Sequence, residues 1–387
     1  MVEACNRNVR KVLMKKLLIT STELMMIQFL VPHVKYLSEN GFRVEIACSD
    51  VGGRMEDVRN ALEGVVDAIH ILRLERSPVN PRNFLGYQDM RKLLHENHYD
   101  IIWTNEPVMG VVTRLAANKY RRRGTKVVYM CHGFHFYKGA SLPNWLIFYP
   151  VERFMSRFCD MIVTINHEDE ARAKTFHSPR VEYIHGIGVN TDRLHNRNEQ
   201  SDIRAELGLT NEDFLVLSVG ELNENKNQQV IIRAVARRKD PKIHYLLCGK
   251  GDQREKLESL AKELGIADHV HFLGYRKEVV DICYQCDVFA HPSRREGLGL
   301  APLEAMYCGL PLVASDTRGL QDYTIPGKSG YLCGSEDEAE FADAIHRLRE
   351  DPVLRSSCGV FNRNTVQIFC LEQVKQVILS LLHTISV

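Results

Sequence analysis

The chain lacks any apolar run approaching the roughly 20 residues needed to span a bilayer, so its sequence offers no membrane-spanning helix. Its start, MVEACNRNVRK, lacks the apolar core of a secretory signal. Met14-Lys15-Lys16 followed by LLIT reads as a more natural beginning, and residues 1–13 are expected to be a disordered extension. Net charge is nearly absent: 50 Lys and Arg against 49 Asp and Glu leave +1. No global electrostatic case for nucleic acid follows, although Arg121, Arg122 and Arg123 form a local basic cluster. There is no Asp-x-Asp string. The single CxxC pair, Cys283 and Cys286, has no second pair or nearby His pair to complete a zinc site. At helical spacing the two are expected to share a face and pack. The eleven cysteines are odd in number and scattered through apparent strands and helices, the pattern of buried reduced thiols in a cytosolic protein.

What is present is ordinary globular composition, 44% apolar and 26% charged, over 387 residues. That length exceeds one ordinary core and predicts two domains. Short apolar runs alternate with longer amphipathic segments. Strands are expected at 15–20, 43–48, 69–74, 99–105, 126–132 and 160–165, with helices near 32–40, 83–96, 108–120 and 145–158. The pattern then restarts, with strands at 214–220, 243–249, 270–274, 288–293 and 310–315. Helices are expected near 226–238, 252–264, 276–284, 300–308 and 337–350. This alternation implies an α/β fold of two Rossmann-like domains, each a parallel sheet covered by helices. The junction falls near 187–200, giving domains of 14–190 and 191–365, and residues 366–387 close the chain with a helix. Ligands in such sheets bind beyond the carboxyl ends of the strands, so two facing sheets are expected to create a cleft.

The most informative segment is HPSRREGLGLAPLEAMYCGLPLVAS, residues 291–315. Glu296 precedes a glycine-containing turn, and Glu304 sits in the first turns of the helix that follows. Unpaired amides at a helix N-terminus suit phosphate, so a carboxylate beside them is better placed against sugar hydroxyls. Taken alone, Glu304 need only complement the helix dipole and Glu296 need only be solvated. Their setting decides otherwise. The string resembles the E-x7-E signature of the family 4 retaining glycosyltransferases, with P-S before the first Glu and L-E-A-M around the second.

That resemblance runs from about Lys15 to Leu382 and implies the GT-B architecture, in which a terminal helix commonly crosses back to the first domain. It implies a donor site in which Glu296 fixes the donor sugar and Glu304 the ribose. The backbone of Gly297, Leu298, Gly299, Leu300 and Ala301 would hold the phosphates. SVGELNENKNQQ, 218–229, resembles the family's V-G-R-L-x3-K segment. Gly220 ends the strand and Lys226, expected at the start of the next helix, meets the diphosphate as a point charge. Glu221 stands where the family usually has Arg, which leaves Lys226 as this loop's main phosphate cation, with Asn223 and Asn225 able to add hydrogen bonds. Gly249 and Gly251 form a G-x-G that is either a tight turn or a border of the nucleotide pocket. Arg254 stands where a dinucleotide fingerprint needs its third glycine. The backbone around Tyr275 and Arg276 corresponds to the family's base-holding segment. In the first domain His132 ends a strand, where family members place a His against the donor sugar, and His135 follows it. The usual glycine-rich loop after the first strand is absent, so Thr22 to Met26 must line the acceptor side.

Residues 138–158 combine Trp145, Ile147, Phe148, Tyr149, Phe154, Met155 and Phe158 with Lys138, Arg153 and Arg157. A core helix with solvated cations fits, as does contact with an anionic membrane surface. Pro150 is expected to interrupt any continuous helix. The resembled subgroup, exopolysaccharide and lipid-linked glycan enzymes, often uses polyprenyl-diphosphate acceptors, which favours the membrane. The function implied is retaining, metal-independent transfer of a hexose or N-acetylhexosamine, from a UDP-linked donor, to a lipid-linked or other glycan acceptor. The expected location is the cytoplasm, peripheral on the inner face of the membrane, with neither cofactor nor nucleic acid. The rivals are a GT-B nucleotide-sugar epimerase or phosphorylase, and a catalytically silent nucleotide-sugar-binding subunit, the last suggested by Glu221.

Overall fold

Seven of the strands pair in one sheet and six in another, and every pairing is parallel. The computed structural model describes residues 14–51, 55–195 and 202–385. The expected extension at 1–13 lies outside them.

The first sheet consists of β1 (Lys15–Glu23), β2 (Phe42–Ser49), β3 (Ala68–Ile71), β4 (Ile101–Asn105), β5 (Lys126–Cys131), β6 (Met161–Thr164) and β7 (Val181–Tyr183), in the order β3-β2-β1-β4-β5-β6-β7. Its longer helices are α1 (Val31–Glu39), α2 (Met55–Leu62), α3 (Arg82–Glu96), α4 (Pro107–Arg121) and α5 (Leu142–Met155). The second sheet consists of β8 (Phe214–Val219), β9 (Ile243–Cys248), β10 (Val270–Gly274), β11 (Val288–His291), β12 (Leu312–Ser315) and β13 (Gly330–Cys333), ordered β10-β9-β8-β11-β12-β13. Helices α6 (Gln229–Arg238), α7 (Arg254–Glu263), α8 (Leu300–Cys308), α9 (Glu338–Glu350), α10 (Pro352–Thr365) and α11 (Leu371–Ile385) complete the set of longer helices. The central strands are buried along almost their whole length, as continuous apolar runs in a two-sided parallel sheet must be. No helix among the described residues is long and apolar enough to cross a membrane.

The chain divides into two units. One comprises residues up to Ile187 together with those from Val374 onward, the other Gly188–Gln373. The sequence had suggested 190/191 and 365/366. The later boundary moves because Val366 and Phe369 are buried and the Phe369 ring packs edge-on against Tyr323 at 5.7 Å. Residues 374–385 belong to the first unit, where Phe42 and His383 are in ring contact at 5.1 Å and Arg180 donates to Thr384 Oγ1 at 3.1 Å.

Several local expectations are corrected. β3 stops at Ile71, and Leu72 and Leu74 are buried outside the ladder. β11 stops at His291 because Pro292 has no N–H to give. Cys286 lies in a turn past the short helix Val279–Cys283, so the two cysteines share no helix face. The ten described cysteines are free thiols, all but Cys286 fully buried. Pro150 does not interrupt α5, which runs through it. The carbonyl that Pro150 deprives of a donor belongs to Leu146, a residue 67% exposed, so the loss falls at the solvent-facing side of the helix. α5 turns Trp145 and Tyr149 into an aromatic cluster with Phe136 and Phe176. Its other face leaves Leu142, Leu146, Ile147, Val151 and Phe154 exposed. A buried ion pair, Arg114 to Glu152 at 2.9 Å, ties α5 to α4, with Tyr129 donating to the same carboxylate at 3.1 Å.

Candidate active site

The order of the second sheet reverses between β8 and β11, the position where an open α/β sheet leaves a crevice at its carboxyl edge. The two chains leaving those strands carry the residues the sequence singled out. After β8, Gly220 adopts φ 150° and the stem of Lys226 lies over it. Lys226 is not at the start of α6. That helix begins at Gln229, because Asn227 takes φ 52° and breaks the chain direction first. Lys226 Nζ instead reaches across to Glu296 Oε2 at 2.6 Å.

Glu296 has two further ties. His291, at the end of β11, meets Oε2 through Nε2 at 2.9 Å, and Ser293 Oγ lies 3.1 Å from the same nitrogen. Arg318 Nε donates to the Glu296 carbonyl at 3.1 Å. Burial raises the Glu296 pKa, but the hydrogen bond from His291 and the charge of Lys226 outweigh it and hold the carboxyl well below the usual range. Burial acts on His291 in the opposite sense and lowers its pKa. The carboxylate is therefore ionised yet charge-compensated at contact distance.

The turn that follows is built on close backbone approaches. Gly299 has φ 87°, and a Cβ on Gly319 would strike Gly297 O at 2.1 Å. Tyr323 donates its hydroxyl to Leu298 O at 2.6 Å, pinning the turn from beneath. α8 starts at Leu300 as expected, and no side chain caps its N-terminus. The positive end of the helix dipole lies at its first turn. α8 ends at Gly309, φ 87°, the left-handed stop of a helix. Glu304 lies in α8 but pairs with Arg193 of the short helix Thr191–His195, and Tyr307 one turn on meets His195 Nε2 at 2.7 Å. Burial raises the Glu304 pKa, and Arg193 opposes the rise.

Asn223 and Asn225 prove to be internal struts. Asn223 Oδ1 accepts the Lys226 amide at 2.9 Å and its amide donates to Glu221 Oε2 at 2.9 Å. Asn225 donates to Arg295 O at 3.0 Å and accepts the Arg294 amide at 2.8 Å, which ties the β8 loop to the Glu296 turn. Gly249 and Gly251 serve backbone packing. A Cβ on Gly249 would meet Gly220 O at 1.8 Å, and one on Gly251 would meet Leu222 O at 2.1 Å. The G-x-G turn thus abuts the Lys226 loop. Tyr275 is 65% exposed, and the Arg276 side chain is held by Glu206 and Glu278.

In the first unit His132 follows β5 and its Nε2 meets Asn105 Oδ1 at 3.0 Å; burial pushes its pKa down to about 4, so it is neutral near pH 7. His135 stacks on Phe148 with ring centroids 4.7 Å apart. Thr22 and Glu23 lie in the last residues of β1, followed by a short helix at Leu24–Ile27. Sequence reasoning missed His291 and Arg318. The only signal for the first was a His at a strand end five residues before Glu296. For the second it was an Arg just past the β12 strand.

Family-level matches cover both halves. The family "Glycosyl transferases group 1" matches residues 199–365, and "Glycosyltransferase Family 4" matches residues 30–193. The putative glycosyltransferase EpsD of Bacillus subtilis (strain 168) is 37% identical over 347 residues, 88% of this chain and 89% of that protein. The UDP-Gal:alpha-D-GlcNAc-diphosphoundecaprenol alpha-1,3-galactosyltransferase of Escherichia coli is 25% identical over 327 residues, 82% and 83% of the two chains. Among solved structures, Anabaena HepE in complex with UDP and glucose aligns with a TM-score of 0.78 at 21% identity, covering 96% of this chain and 100% of that one.

Proposed function

The chain belongs to the family 4 glycosyltransferases of GT-B architecture, and from that premise we propose that it moves a hexose or N-acetylhexosamine from a UDP-linked donor to a polyprenyl-diphosphate-linked saccharide, with retention at the anomeric carbon. The observation that carries the donor half is the Lys226–Glu296–His291 assembly beside the uncapped start of α8, at the switch point of the second sheet. Support for the substrates is the E. coli relative, whose name specifies a UDP-Gal donor and a GlcNAc-diphosphoundecaprenol acceptor. The complex of HepE with UDP and glucose agrees with the donor.

The proposed step is a front-face displacement. The bond from the anomeric carbon to the diphosphate oxygen breaks, and the nucleoside diphosphate leaves with the electron pair. An acceptor hydroxyl forms the new bond on the same face and gives its proton to the departing phosphate. Lys226 and the amides of 297–301 stabilise the charge that develops on the leaving group, an interaction stronger in the transition state than before it. Glu296, ionised and held by His291, orients the donor sugar through its hydroxyls. His132, neutral by burial, is proposed to serve the reaction as a hydrogen-bonding group. Glu304 takes the ribose, exchanging or sharing its contact with Arg193. Because Lys226 and the helix amides take the phosphate charge, the reaction is proposed to need no divalent cation. The exposed apolar face of α5, with Arg153 and Arg157 beside it, is proposed to rest on the anionic inner membrane surface where a lipid-linked acceptor resides.

Thermal shift with UDP, GDP, ADP and CMP tests the donor, since a ligand that binds only the folded state raises its apparent stability. UDP alone should raise the melting temperature, and the rise should shrink in Lys226→Ala. A response to another base, or to none, rejects the UDP assignment.

A further inference from the structure

The first sheet also reverses its strand order, between β1 and β4. By the rule that located the donor assembly, the carboxyl ends of these two strands form that unit's ligand crevice. β1 ends there with Ser21, Thr22 and Glu23, and β4 runs out through Asn105 into Glu106. Glu106 has φ 64° and ψ 155°, a region that is essentially reserved for glycine. A bulky residue held there needs a reason, because glycine at this position would carry no strain.

The usual reasons are absent. The Glu106 side chain makes no capping bond to α4, so helix capping does not account for it. It turns across the strand ends instead. Its Oε2 accepts the Ser21 hydroxyl and, at 2.7 Å, the Thr22 amide. The carboxylate forms no ion pair among the described residues; the nearby cation, Arg76, is taken by Glu23. The Ser21 hydroxyl and Thr22 amide both bond Oε2, and the Thr22 hydroxyl and the charge of Arg76 also act on the carboxylate, so Oε1 is the oxygen with capacity to accept from a ligand. Asn105 extends the row, donating to Thr20 O at 3.2 Å and meeting His132 at 3.0 Å through Oδ1. One carboxylate oxygen is thus aimed by its partner oxygen, on a strained backbone, among hydroxyl and amide groups, with the one nearby cation paired to Glu23. That setting suits a polyol better than a cation, which would need more than one anion, or an anion, which the carboxylate would repel.

We propose that Glu106 binds the acceptor saccharide, its Oε1 accepting hydrogen bonds from ring hydroxyls. The proposal rests on the glycan-acceptor reading above and adds the residue that recognises the acceptor's sugar. It concerns Glu106 alone and assigns no base to it.

Saturation-transfer NMR on the full chain tests it, with the methyl α-glycosides of N-acetylglucosamine, glucose and galactose as probes. At least one should receive saturation from the wild type. Glu106→Gln keeps an oxygen for Ser21 and Thr22 but removes the charge, and should weaken that signal roughly tenfold or more. Glu106→Gly, which relieves the backbone and deletes the carboxylate, should abolish it, and it serves as the second variant if Gln impairs folding. Each variant should keep the wild-type thermal response to UDP. Sugar signals that persist in both variants overturn the proposal, as does a wild type that contacts no probe. A variant that melts lower while its folded fraction still contacts the sugar also overturns it, since Glu106 would then be only a strut. If UDP has no effect on the wild type but sugar contact still depends on Glu106, the donor reading fails and this one stands.

Discussion

Lys226, Glu296 and His132 play different electrostatic parts, and substitutions separate them. Lys226→Ala removes the cation paired with the Glu296 carboxylate. It should lower transfer kcat/KM by roughly 10²–10³, in line with the loss of a group that acts on the developing leaving-group charge. A steady-state assay of the released nucleoside diphosphate checks this. His132 is protonated more readily in the unfolded chain, where its pKa is near 6.5, than in the native state, where it is about 4. Its contribution to stability is thus fully present above pH 6.5 and is lost as pH falls toward 4. Urea unfolding at pH 7 and pH 5 should show the wild type losing about 2 kcal/mol more than His132→Gln over that interval. Glu296, Glu304 and Lys226 were legible because each lies in a short contiguous string. His291 and Arg318 were not, because each gains its role only when separate segments converge on the Glu296 turn. Asn225 carried the opposite lesson. Its amide pointed to a ligand in the sequence and proved to be spent on Arg295 O.

At the scale of elements, α5 is where sequence and structure diverge most. Proline should break a helix, but the segment has one face committed to the Phe136 and Phe176 cluster and an ion pair to Arg114. Tertiary packing overrides the local penalty. Glu152→Ala leaves the fully buried Arg114 uncompensated and should cost about 3–5 kcal/mol in chemical denaturation. Ile147→Glu, on the exposed face, should leave the melting temperature nearly unchanged. It should also reduce co-sedimentation with vesicles containing anionic lipid; equal sedimentation of variant and wild type would remove the membrane role. The long central strands were readable as apolar runs. The short edge strands β7 and β13 were not, since three or four residues carry too little pattern to distinguish a strand from a loop. The same holds for α10, whose polar stretch between buried Cys358, Gly359 and Asn362 hides its period.

For the whole molecule, two successive parallel α/β units were legible from the alternation of runs alone, and the resemblance around Glu296 supplied the family. Neither source identifies the sugars, because hydrogen bonds to hydroxyls and to backbone leave little trace in residue type. Activity in excess EDTA should equal that without it if Lys226 and the α8 amides carry the phosphate charge, and a loss restored by added Mg²⁺ or Mn²⁺ would reject the metal-free scheme. The most direct test of the central claim is proton NMR of the product formed from a UDP-α-linked sugar and a lipid-diphosphate N-acetylglucosamine acceptor. The account predicts a new α-anomeric signal with the small coupling of retention, nearly absent with Lys226→Ala. A β-linked product, or α-product formed at the wild-type rate by Lys226→Ala, would contradict it.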